Sequence, residues 1–180
     1  MLDDTQQAWL VQVRRKLFGY SCALCPDISG AEDLYQDTVL RAMTAPSVPG
    51  DFISYRVWLF RIMRNLWIDR LRAQGRLPEF DTSADIDEMP NAYADDQVVN
   101  ALAVRQAFGA LSKPHRDILA LVDICGFSYA EAAEMLDVPA GTIMSRVSRA
   151  RAALVGRMEE ERNVISLPLR RMSRKAGDAG

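Results

Sequence analysis

The sequence predicts an all-α protein, two small helical domains joined by a flexible acidic linker, and three observations carry that expectation. Apolar residues recur at three- and four-residue spacings in every patterned segment, and no stretch alternates as a strand would. Residues 77–97 lose that periodicity and turn to Pro, Asp, Ser, Asn and small side chains. They carry Glu79, Asp81, Asp85, Asp87, Glu88, Asp95 and Asp96 with no Lys or Arg, and such a length without pattern marks a domain boundary rather than a loop. The segment 127–151, FSYAEAAEMLDVPAGTIMSRVSRAR, reads as two short helices broken by a tight turn.

The first helix is expected from about residue 4 to 18, with Trp9, Val13 and Leu17 on one face, and its continuation stops at Pro26. A second covers about 31–43, between Ser29-Gly30 and Pro46. Asp33, Gln36, Asp37 and Leu40 lie along one side of it, and a helix with only a packing role needs no such row of polar groups. Residues 52–72 are dense in aromatics and arginines, with Val57, Phe60, Ile62 and Met63 as core and Arg56, Arg61 and Arg64 on the flanks. Asn65 has modest helix propensity and tolerates turn geometry. A break there would divide the stretch into two helices, making a four-helix first domain. Leu66, Ile68 and Leu71 continue the apolar set, and Gly75 ends it. Trp58 and Trp67 could serve as stacking platforms for single-stranded bases, but their place within apolar runs favours core packing. Helices at about 98–111 and 114–125 follow the linker, and the tail after about 162 is expected to fray. The boundaries expected are 1–76, 77–97, 98–160 and 161–180.

Within the two-helix segment, Tyr129, Ala132, Ala133 and Leu136 recur as one buried face, and Ser128 with Glu131 forms a capping box. Asp137 and Val138 leave room for a short turn, and Pro139 suits the start of the next helix. There Ile143, Val147, Ala150 and Leu154 make the inward stripe, while Thr142, Ser145, Arg146 and Arg149 share the opposite side. A face of small polar groups and long cations can enter a major groove, where arginine pairs with guanine edges or phosphates.

Composition narrows the classes. With 49% hydrophobic and 26% charged residues, the chain is of ordinary soluble globular type. Its first twenty residues contain Asp3, Asp4, Arg14, Arg15 and Lys16, which argues against a signal peptide. No apolar run is long enough to span a membrane, so a cytoplasmic location is expected. Net charge is −2 and the pI about 5.5, low for a protein that binds DNA alone. The distribution matters more than the sum: Arg56, Arg61, Arg64, Arg70, Arg72 and Arg76 face Asp69 alone over 56–76, and Arg146, Arg149, Arg151 and Arg157 face no acid over 138–157. The acidic linker separates these two basic segments.

Cys22 and Cys25 form a C-x-x-C. A redox pair of that kind needs a preceding strand, and a zinc site completed by Cys125 and His115 would draw ligands from both domains. Structural thiols are therefore expected, with no metal and no cofactor. With one histidine and no Gly-rich phosphate loop, catalytic residues have few candidates.

Taken together, AEDLYQDTVLRA, YRVWLFRIMRNLWIDRLR, the acidic gap and LSKPHRDILALVDICGFSYAEAAEMLDVPAGTIMSRVSRARAAL resemble the extracytoplasmic-function (ECF) sigma factors, small bacterial initiation factors with only sigma regions 2 and 4. The resemblance spans roughly residues 6–157 and leans toward the alphaproteobacterial general-stress type. It implies that Asp33, Gln36, Asp37 and Leu40 dock on core RNA polymerase. It also implies that Arg56, Arg61, Arg64, Asn65, Arg70 and Arg72 lie on the −10 promoter element, with Asn65 beside a base flipped from the non-template strand. Thr142, Met144, Ser145, Arg146 and Arg149 would lie on the −35 element. Met144 departs from the family's usual Lys or Arg, and suits an apolar contact such as a thymine methyl. An anti-sigma protein is a further implied partner, and the linker acids are expected to fold back on the arginine faces off the enzyme. The competing reading is a stand-alone dimeric helix-turn-helix regulator, which would bind its promoter without polymerase.

Overall fold

The computed structural model describes residues 2–75 and 97–165. The described residues are helical, with no strand among them: α1 (Asp4–Leu24), α2 (Ile28–Met43), α3 (Phe52–Ala73), α4 (Gln97–Ala110), α5 (Lys113–Leu119), a π-helical turn (Ala120–Ile124), α6 (Tyr129–Leu136) and α7 (Ala140–Ile165). The sequence expectations for most of the linker, residues 77–96, and for the tail, 166–180, fall outside the described residues.

Each start follows from a cap. Asp3 accepts from the Gln6 backbone N–H, and Gln6 reciprocates. Asp27 caps α2, which therefore begins three residues earlier than the Ser29-Gly30 pair suggested. Asp51 caps α3 through the Ser54 N–H. α1 buries Val13, Leu17, Tyr20 and Leu24; α2 buries Ala31, Leu34 and Ala42; α3 buries Tyr55, Leu59, Phe60, Met63 and Trp67.

The expected break at Asn65 does not occur: α3 runs unbroken from Phe52 to Ala73, so the first domain has three helices rather than four. The reason is energetic. Asparagine costs a helix interior well under about 1 kcal/mol relative to alanine. Met63, Trp67 and Leu71 are buried on either side of it, and each such side chain contributes roughly 1.5–3 kcal/mol when removed from water. Asn65 itself is exposed, so its amide gives up no hydration. The helix ends at Gly75, whose φ of 65° lies where glycine alone is unstrained.

The second domain packs α4, α5 and α6 against α7 around Leu111, Ile118, Leu119, Ala132, Ile143, Val147 and Ala150. The helix expected over 114–125 divides, its latter half winding into the π turn. That turn rotates Leu121 and Cys125 away from this core and, with Phe127 and Met135, into the core of α1–α3. The two domains therefore meet through apolar side chains, with Phe60 and Phe127 edge to face at 4.9 Å between centroids.

Candidate nucleic-acid interface

The helix-turn-helix forms as its residues demand. Ser128 Oγ accepts from Glu131 N–H, and the Glu131 carboxylate accepts from Ser128 N–H at 2.8 Å. Asp137 takes the left-handed conformation at φ 54° that closes the turn, a geometry short polar side chains tolerate. Pro139 lies one residue outside α7, where its carbonyl accepts from Thr142 N–H at 2.9 Å. With Ile143, Val147 and Ala150 buried, α7 turns Met144 and Ser145 outward and leaves Thr142, Arg146 and Arg149 half-buried. Ser145 Oγ donates to the Thr142 carbonyl, and Arg149 Nε to the Ser145 carbonyl at 3.4 Å. Met144, 57% exposed, is a large apolar group left open on this face. The Arg146 guanidinium is held below its ordinary pKa by burial, then by the positive charges of Arg64 and Arg149, with Asp117 pulling the other way.

The six residues expected on α3 fall into three sets. Arg56, Arg61 and Arg64 face the second domain. Arg56 Nη2 meets Glu131 Oε1 at 2.5 Å, with its guanidinium 4.3 Å from the centre of the Phe127 ring. Arg61 donates to the Glu134 carbonyl at 2.5 Å, and Arg64 Nε to Asp117 Oδ2 at 2.8 Å. Arg70 and Arg72 turn elsewhere, Arg70 donating to Asp37 Oδ2 at 2.6 Å and Arg72 to Asp69 at 3.2 Å. Asn65 stands exposed on the remaining side. There it lies three and seven residues beyond Ile62 and Trp58, on one helical face, and those two side chains line a cavity of about 400 Å³ with Arg41, Thr44, Ala45, Pro46 and Ser47. Trp67 is buried, as its apolar setting predicted, whereas Trp58 is half-buried against Tyr55.

On α2, Asp33, Gln36, Asp37 and Leu40 are all exposed, Leu40 to 63%, and Met43 extends the apolar part of that face. The Arg70–Asp37 pair joins a residue assigned to DNA with one assigned to polymerase. Exposed pairs of this kind contribute only about 0–1 kcal/mol.

Sequence reasoning missed Tyr20 and Asp117. Tyr20 OH donates to Asp117 Oδ1 at 2.5 Å, and both residues are buried. Burial pushes the Tyr20 hydroxyl pKa well up, the Asp117 charge adds to the rise, and Arg64 opposes it. The available signal was an aspartate directly before the apolar run Ile118–Leu121, since a carboxylate among core residues must find donors. Glu131 was read only as a cap, yet it also receives Arg56.

Among the described residues no cluster of His, Cys, Asp and Glu is placed to hold a metal ion. Burial raises the pKa of all three thiols, that of Cys125 to about 12, the opposite of what a reactive thiolate needs. None of the helices among the described residues is long and apolar enough to cross a membrane.

Comparison with known proteins agrees with this arrangement. The family profile for Sigma-70 region 2 matches residues 9–77, and that for Sigma-70, region 4 matches residues 101–154. The ECF RNA polymerase sigma factor SigL of Mycobacterium tuberculosis is 34% identical over 142 residues, 77% of this chain and 80% of that protein. The ECF RNA polymerase sigma factor EcfG of Rhodopseudomonas palustris is 31% identical over 153 residues, 85% of this chain and 84% of that one. Among solved structures, the sigma factor RpoE of Bartonella quintana, crystallised with the anti-sigma factor NepR, superposes with a TM-score of 0.67 at 30% identity, covering 88% of this chain and 98% of that one. With two helical units in the order of sigma regions 2 and 4, the chain belongs to the ECF RNA polymerase sigma factors, which direct promoter recognition and transcription initiation.

Proposed function

We propose that the three surfaces divide the work of initiation in this chain. The α2 face of Asp33, Gln36, Asp37 and Leu40 docks on core RNA polymerase, α3 with Arg56, Arg61, Arg64, Asn65, Arg70 and Arg72 engages the −10 element, and α7 with Thr142, Met144, Ser145, Arg146 and Arg149 engages the −35 element. The observation that carries the −10 assignment is the cavity beside Trp58 and Ile62, with exposed Asn65 one turn along the same face. A cavity of about 400 Å³ with an aromatic wall and the Arg41 cation at its edge suits an unstacked base. The domain limits proposed remain 1–76 and 98–160, in keeping with the matched regions.

The chain itself performs no bond chemistry and needs no cofactor; it binds, aligns and holds strands apart in the cytoplasm. An anti-sigma protein is a proposed partner, supported by the likeness to a sigma factor crystallised with NepR. Run-off transcription with purified core polymerase on a promoter library tests the proposal. The result expected is initiation only when core and chain are both present, lost on Asp33→Arg with Asp37→Arg. Tight specific promoter binding by the chain alone as a dimer would instead favour the stand-alone regulator.

A further inference from the structure

The sequence sets Arg151 among the cations of a segment that holds no acid, but the fold brings it an acid from elsewhere. Arg151 Nη2 donates to Asp123 Oδ1 at 2.6 Å and Nε to Asp123 Oδ2 at 3.2 Å, a two-pronged pairing that fixes direction as well as distance. Asp123 belongs to the π turn. Its neighbour Val122 packs on the second domain's core, so the carboxylate stands on that domain's own scaffold. Tyr129, the first residue of α6, packs on the same core and lies within hydrogen-bonding reach of Arg151. The hydrogen bond to Asp123 holds the Arg151 guanidinium above its ordinary pKa, burial opposes the rise, and the Asp123 charge and Tyr129 add to it.

The place of Arg151 on the helix decides what this pairing can do. At about 100° per residue, Arg151 lies about 160° around α7 from Arg149 and about 180° from Thr142. It therefore points away from the groove that those two face. Met144 is on its own flank, about 20° away and two turns nearer the start of α7. Met144 and Arg149 are about 140° apart, so a roll of α7 about its axis trades one against the other at the bases. Ile143, Val147, Ala150 and the opposing Ala132 hold the helix down, but apolar burial has no preferred direction. The pairing at Arg151 has one.

We propose that Arg151, Asp123 and Tyr129 clamp the roll of α7: they are positioning residues that set the angle at which Met144, Ser145 and Arg149 meet the −35 bases, and Arg151 itself makes no contact with DNA. The inference rests on the assignment of α7 to the −35 element made above. Arginine is required because lysine offers a point charge on a flexible stem in place of a planar fork. With side chains 46% and 39% exposed, the pair changes an equilibrium by at most about 5-fold. That is small beside folding but comparable with the discrimination lost at one mismatched base pair, about 5- to 150-fold.

The test uses holoenzyme reconstituted from the full chain and core polymerase. Initiation is compared on the strongest promoter of the library and on the same promoter with single −35 base pairs exchanged, and the ratio measures discrimination. Arg151→Lys keeps the charge and loses the fork; Asp123→Asn keeps the shape and loses the charge. Each should lower the ratio about 3- to 5-fold, and the double variant no further, since both changes remove one interaction. If Arg151 were instead a phosphate contact, Arg151→Lys would preserve initiation, and Asp123→Asn would release the guanidinium and raise initiation on every promoter. A role in folding alone would lower initiation on all promoters in equal proportion and leave the ratio as it was. Either result overturns the clamp, as does additivity in the double variant. Circular dichroism establishes that each variant is folded at the assay temperature. Tyr129→Phe removes one hydroxyl, should lower the ratio about 2-fold, and decides if a charge variant does not fold. Wild-type holoenzyme indifferent to −35 changes would sink the promoter assignment itself, whereas discrimination by wild type that the variants retain in full sinks the clamp alone.

Discussion

Phe127→Ala should separate the domains without unfolding either. Phe127 is 3% exposed, edge to face with Phe60 at 4.9 Å and under the Arg56 guanidinium at 4.3 Å. Removing a buried phenylalanine costs about 3–5 kcal/mol, and the ring pair and cation contact lie within that figure rather than adding to it. Its neighbours decide where the loss falls. Phe127 belongs to the α1–α3 core, whereas the second domain is built on Ile118, Ile143, Val147 and Ala150, so the cost weakens docking between domains. A loss of about 3 kcal/mol changes the closed-to-open ratio roughly 150-fold. Scanning calorimetry should show one coupled transition for wild type and two for Phe127→Ala, with helix content retained. Ile143→Ala, whose side chain is fully buried within the second domain, should instead lower that domain's own transition. A single transition in Phe127→Ala, merely shifted down, would refute the assignment of this side chain to docking.

Further outcomes are expected at separate sites. Arg149→Ala should weaken −35 duplex binding, while Asn65→Ala should leave it intact and slow strand opening, as permanganate reactivity of promoter thymines would report; equal loss at both steps from either change contradicts the division. Met144→Lys places a cation at an exposed position of α7 and should steepen the salt dependence of DNA binding by about one counterion, measured from binding at several salt concentrations. Burial raises the Glu131 pKa, but hydrogen bonds from Ser128 and Arg56 outweigh it and hold the carboxyl below its ordinary 4.5. Because the folded value is the lower one, its stabilisation is present above pH 4.5 and is lost as pH falls through the folded value; Glu131→Gln should flatten that acid limb in thermal unfolding and lower stability at neutral pH by about 1 kcal/mol through the weakened pairing with Arg56.

The helix-turn-helix was legible because its signals are local: a serine and a glutamate three apart, a turn-forming aspartate, a proline, and an apolar stripe on each helix. The α2 face was legible for the same reason, since Asp33, Gln36, Asp37 and Leu40 share a side that burial avoids. Asn65 misled because local propensity was weighed without the buried Met63 and Trp67 on either side of it. The π turn could not be read, as its effect is to move Leu121 and Cys125 from one core to another. Nor could the closure be read. It depends on pairings such as Tyr20 with Asp117, 97 residues apart, and on carboxylates at 117 and 131 doing what was expected of the linker acids, which lie outside the described residues.

The account joins two claims, that α3 and α7 read separate promoter elements and that the free chain holds them together. One distance tests both: that between spin labels on exposed faces of α3 and α7, measured in the free chain and again in the complex with core polymerase and promoter DNA. The account predicts a short distance in the free chain and one on the order of 80 Å in the initiating complex, the span of the two elements along B-form DNA at about 3.4 Å per pair. A short distance retained in a complex that initiates transcription would contradict it.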